Sequence, residues 1–139
     1  MDKTELMGYR ALVKEVRQLR GQLTALESSL YSPRGQRFTS TPRAASGPKN
    51  TMDEAVAAHI RLEQLYREKL TAQEARMYAI EEALDVLEDP AERIIMRDRY
   101  ISGHSWVRIC DMMRGRGYSE RQVYRLHGLA LLKLKDVGL

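Results

Sequence analysis

One cysteine, Cys110, stands alone in 139 residues. That excludes an intramolecular disulfide, and with it the disulfide-rich scaffold of small secreted domains. No apolar run approaches the roughly 18 residues that span a bilayer, and the N-terminus carries no signal-peptide core. No membrane partner is expected, and the cytoplasm is the expected compartment. Three histidines and one cysteine, with no HxxxH or CxxC spacing, offer no plausible ligand set, so no metal is expected. Glycine-rich phosphate loops, nucleophile elbows and paired carboxylates are missing too. No cofactor is expected, and no enzyme activity.

Aromatic residues make up only 6% of the chain, while Ala, Leu, Glu, Arg, Lys and Met are plentiful. That balance favours helix over sheet and predicts an all-α fold. The net charge of +4 is unevenly spread. From Pro90 onward there are 10 Lys/Arg against 5 Asp/Glu, whereas 51–89 holds 4 bases and 10 acids. Segregated basicity points to an anionic partner at the C-terminal end.

Four segments are expected. Residues 1–30 form a coiled-coil-like helix, with Tyr9, Leu12, Val16, Leu19, Leu23, Leu26 and Leu30 at alternating spacings of three and four. This stripe suits packing within the chain and pairing between chains equally well. Residues 31–50 hold three of the four prolines and four bases (Arg34, Arg37, Arg43, Lys49) without an acid, which reads as a flexible linker. Residues 51–88 read as one long helix for oligomerisation, with Met52, Val56, His59, Tyr66, Leu70, Met77, Ile80, Leu84 and Leu87 on one stripe. Such a helix reaches about 50 Å at 1.5 Å per residue, long for the surface of a small globule. Together they predict a long N-terminal helical hairpin or coiled coil.

The segment 89–139 carries three shorter helix signals. Pro90 suits a first turn, and Ile94, Ile95, Met96 and Tyr100 are core candidates, with Arg93, Arg97 and Arg99 outside. Gly103 ends this helix and Ser105 caps the next, whose Trp106, Ile109, Cys110 and Met113 recur at helical spacing. Ser119 caps the last helix, with Gln122 completing a capping-box pattern. Its Val123, Leu126, Ala130, Leu131 and Leu134 point inward, leaving Glu120, Arg121, Tyr124 and Arg125 outward.

Residues 90–134 resemble region 4 of sigma-70-type factors. They are closer still to the sigma-region-4-like late-gene activators of bacteriophages, the ArpU and RinA type. The pattern is carried by Glu92, Arg93, Ile95, Arg99 and Tyr100, then Ser105, Trp106 and Ile109, then Tyr118, Ser119, Val123, Tyr124, Arg125 and His127. The resemblance covers about a third of the chain and implies a C-terminal helix-turn-helix binding double-stranded DNA, with host RNA polymerase as a candidate second partner in a bacterial cell. Two features depart from that pattern. The turn from Met113 to Ser119 is about three residues longer than usual, with Arg114-Gly115-Arg116 as the surplus, and no aromatic-rich promoter-melting segment is present.

Bases are read by side chains on the first turns of a helix in the major groove. Glu120, Arg121, Gln122, Tyr124 and Arg125 are therefore the expected base-reading set. Ser105, Arg108, Arg114, Arg116, Ser119 and Lys133 are expected at phosphates, which position without specifying. The leading expectation is a sequence-specific transcriptional regulator of phage or prophage genes that forms a homo-oligomer. A second reading is a phage DNA-packaging protein resembling a small terminase subunit, and a third a coiled-coil adaptor. A ring of roughly eight or more subunits would favour packaging, and a dimer regulation.

Overall fold

The computed structural model describes residues 1–31 and 51–137. Of the expected linker, only Tyr31 is among them, as the last residue of a helix; Arg34, Arg37, Arg43 and Lys49 lie outside the described residues. Every regular element described is helical: α1 (Lys3–Tyr31), α2 (Thr51–Leu84), α3 (Pro90–Met96), α4 (Trp106–Arg114) and α5 (Glu120–Lys135). The α3 helix runs on into a π-helical turn, Arg97–Ile101. No helix among the described residues is long and apolar enough to cross a membrane.

The chain divides into two units, and the division runs through both long helices. One unit is Lys14–Thr71; the other joins Met1–Val13 to Ala72–Leu139. Apolar side chains at both ends of the sequence share one core, beside a second buried cluster drawn from α3, α4 and α5 alone.

In the unit Lys14–Thr71, α1 and α2 run antiparallel, as ion pairs between Glu15 and Lys69 (3.3 Å) and between Glu27 and His59 (3.1 Å) require. His59 is thus the packed, hydrogen-bonded histidine its place on the stripe suggests. Val16 and Leu19 are buried, whereas Leu23, Leu26, Leu30, Leu62, Tyr66 and Leu70 are only half-buried. Met52 and Val56, expected on the inward stripe, are exposed, as are Ile60 and Leu65. Two helices can cover only one stripe of each other, so flanking apolar residues stay in water.

The other unit is denser. Leu6, Tyr9, Ile80, Ala83, Leu84, Leu87, Met96, Tyr100, Ala130 and Leu134 form one buried cluster. Leu6 falls outside the seven positions of the expected seam, yet it is fully buried because the cluster meets α1 from several sides. The α2 helix stops at Leu84, short of the expected end; Leu87 remains buried after the turn. The Asp89 carboxylate accepts from the Ala91 N–H (2.9 Å), and Pro90 opens α3.

Glu92 and the three arginines of α3 and its π turn are structural ties, which corrects the expectation that these arginines are simply exposed. Arg93 donates to the carbonyls of Leu87 and Glu88. Arg97 forms a forked bridge to Glu81 on α2 (2.9 Å), and Arg99 donates to the His104 carbonyl (3.2 Å). Glu92 is buried and held by the Lys133 ammonium of α5 at 2.9 and 3.0 Å. Between the π turn and α4, Gly103 adopts φ 77°, and a Cβ there would lie 2.1 Å from the Arg10 guanidinium. The left-handed backbone favours glycine there, and any larger residue would also have to push the Arg10 side-chain end aside.

Candidate nucleic-acid interface

The α4 and α5 helices are each fixed at their N-termini by a serine. Ser105 Oγ accepts from the Arg108 N–H (3.3 Å). Ser119 Oγ accepts from the Gln122 N–H (3.2 Å), while the Gln122 side-chain oxygen accepts from the Ser119 N–H (2.8 Å). Both halves of the expected capping box are therefore made.

Between them, the Tyr118 N–H reaches the Met113 carbonyl and the Gly117 N–H the Arg114 carbonyl, both at 3.0 Å, around Gly117 at φ 93°. This is a Schellman closure, and Tyr118 packs against the cluster containing Met113, the apolar contact that accompanies it. The expected surplus of Arg114-Gly115-Arg116 is taken up as the winding end of α4. The turn is longer in sequence than in space.

Below the surface, Ile109, Cys110 and Met113 of α4 meet Val123 and Leu126 of α5 and Ala91 and Ile95 of α3. Burial raises the Cys110 thiol pKa, so this residue is packing rather than a ready nucleophile. An aromatic stack joins this layer to the surface. The Trp106 ring meets Tyr124 at 5.1 Å and the edge of His127 at 4.6 Å, with the Arg99 guanidinium 4.8 Å from its centroid. His127 Nε2 lies 2.8 Å from the Tyr100 hydroxyl, and the two rings stack. Burial, followed by the charges of Lys3 and Arg99, lowers the His127 pKa to about 4, so the ring is neutral near pH 7.

The five expected base-reading residues, Glu120, Arg121, Gln122, Tyr124 and Arg125, all lie exposed on the first two turns of α5. They differ in freedom. Arg121, Arg125 and Glu120 make no ion pair or side-chain hydrogen bond among the described residues. Gln122 has its amide oxygen engaged by the cap, which removes the two-point geometry that adenine requires. Tyr124 is 45% exposed but leans on Trp106.

Of the expected phosphate set, Arg108 and Arg116 are exposed at the start of α4 and in the turn, and among the described residues neither has an ionic partner. Ser105 and Ser119 are exposed, with their hydroxyls used as caps. Arg114 pairs with Asp111 (3.0 Å). Lys133 is exposed, and its ammonium pairs with the buried Glu92 carboxylate, whose charge it offsets. Arg99, Trp106 and His127, outside the expected contact set, pack together beneath Tyr124. The signal available for them was their shared membership, with Tyr100 and Tyr124, of the quoted residue pattern.

No group of three His, Cys, Asp or Glu side chains placed to hold a metal occurs among the described residues. No family model, curated protein or solved structure matches the chain.

Proposed function

We propose that the chain is a sequence-specific DNA-binding regulator of phage or prophage transcription, in which α4 and α5 act as a helix-turn-helix resembling sigma region 4. The observation that carries this reading is the exposed first half of α5. Arg121 and Arg125 stand one turn apart without an ionic partner among the described residues, on a helix whose start is fixed by a complete capping box. Unpaired guanidiniums on a rigid helix match the two-point acceptor edge of guanine, while Arg108 and Arg116 suit phosphates. Glu120 supplies an acceptor for a cytosine amine, and Tyr124, backed by Trp106, supplies an apolar edge. Gln122 and Lys133 are dropped from the contact set, because their polar atoms serve the cap and Glu92.

The exposed apolar residues Met52, Val56 and Ile60 on α2 support a homo-oligomer formed through the long helices. Tethering two reading heads would raise affinity for paired half-sites. The acidic stretch 51–89 is unsuited to DNA and leaves those helices for protein partners, a second copy first and host RNA polymerase second.

Selection of bound duplexes from a random pool, followed by salt titration on a selected and a scrambled duplex, tests the reading. Arg121→Ala or Arg125→Ala is expected to cost about 1–3 kcal/mol on the selected duplex and little on the scrambled one. Arg116→Ala is expected to weaken both alike and make the salt slope shallower by about one. If the two α5 variants lower both affinities equally, α5 does not read bases.

A further inference from the structure

The outward ridge of α5, opposite its buried Val123, Leu126, Ala130 and Leu134, runs Arg121, Arg125, Gly128, Leu132. Glycine in the middle of this 16-residue helix is unexpected, since it weakens a helix relative to alanine. Nothing inside the described chain calls for it. Its φ is not in the left-handed region, and a Cβ at this position would meet nothing within 4 Å among the described residues. Neither conformation nor internal packing selects a bare backbone at the crest of the helix.

We propose that Gly128 marks where bound duplex DNA comes closest to the α5 backbone, a reading that rests on the proposed DNA-binding function. Gly128 lies about 10 Å along the axis from Arg121. The major groove is about 12 Å wide, little more than the width of a helix with its side chains. With two long guanidinium side chains at the front and no side chain one turn further on, the helix enters tilted, its middle nearest the groove wall.

Charge separates this occupant from a second copy. Two α5 helices paired antiparallel about Gly128 would set each Arg121 against the other's Lys135, a like-charge contact at both ends of the seam. A polyanion meets Arg121, Arg125 and Lys135 with the opposite sign.

The test uses the full chain, a fluorescein-labelled 30-base-pair duplex of random sequence at low salt, thermal melting and light scattering. Because the Cβ position is open, Gly128→Ala is expected to raise the melting temperature by about 3 °C through helix propensity. The same variant is expected to weaken duplex binding about threefold, and Gly128→Leu about tenfold or more, the scale of an overfilled contact. Mass is unchanged in both. Gly21→Ala is the control: Gly21 is also exposed on a helix with open space at its Cβ, but belongs to α1 in the other unit. It should gain stability with no change in binding.

Unchanged binding by Gly128→Leu, while the phosphate-contact variant Arg116→Ala is impaired, overturns the inference and leaves the DNA-binding reading standing. A lowered mass in Gly128→Leu overturns it in favour of a second copy. Failure of the unaltered chain to bind duplex overturns both.

Discussion

The two units of this chain are built from the same pair of long helices, yet bury them very differently. In Lys14–Thr71 the two helices pair with each other, and among the described residues only Val16 and Leu19 of its apolar side chains are buried. In the other unit the same two helices meet the π turn and α5, and Leu6, Leu84 and Leu87 lose all contact with water. The heptad spacing is continuous across the division. What changes is the number of surfaces that close around it. A regular stripe sets which face is buried, but the count of neighbouring elements sets how completely.

The largest expected effect comes from cutting the denser unit at the boundary that the sequence suggests. A fragment of residues 88–139 keeps Met96, Tyr100, Ala130 and Leu134 but loses Leu6, Tyr9, Ile80 and Leu84, their partners in the same cluster. It is expected to lack a cooperative thermal transition by circular dichroism. A sharp transition close to that of the full chain would show that the cluster of α3, α4 and α5 suffices without α1 and α2.

Single substitutions sharpen the contrast. Leu84→Ala, at 0% exposure, is expected to cost about 3–5 kcal/mol in urea denaturation. Leu23→Ala, in the half-covered pair, is expected to cost about 1 kcal/mol, since much of that side chain is already in water. Equal costs would mean that the open unit is covered in solution, as a second copy of α1 and α2 would do.

A further contrast is a pH dependence that His127 gives to the denser unit. A histidine whose pKa is lowered on folding takes up its proton first in the unfolded chain. The stability linked to His127 is therefore complete above about pH 6.5 and is lost as the pH falls towards 4. The full effect is on the order of 3 kcal/mol. His127→Phe, which keeps a ring beside Trp106 but leaves the Tyr100 hydroxyl without its partner, is expected to start lower and show a flatter profile over this window. Urea melts between pH 4 and 7 measure it. Parallel profiles for the two proteins would remove His127 as the source.

Local signals were legible wherever the physics is local. The caps at Ser105 and Ser119, the opening proline of α3 and the inward residues of α4 and α5 follow from hydrogen bonds and spacings within a few residues. The candidate reading face was legible for the same reason: once Val123, Leu126 and Ala130 turn inward, Arg121 and Arg125 must turn out. The partners of Glu92, Arg93, Arg97 and Arg99 were not legible. Each reaches an element between five and 41 residues away, and no local pattern distinguishes a solvated arginine from one that ties two helices together. Gln122 shows the same limit in reverse, because one amide could serve the cap or a base and its geometry decided for the cap.

By itself the sequence determined that this protein is helical, where its short helices begin, which faces they bury and where its basic charge is concentrated. These follow from periodicity, capping chemistry and composition, which act over one or two turns. Only the tertiary structure decided that the first 13 residues belong with the last 68, that Lys133 serves Glu92, and that Tyr124 and His127 of α5 stack with Trp106 and Tyr100. Those outcomes depend on which distant surfaces meet, and burial and charge pairing are properties of that meeting.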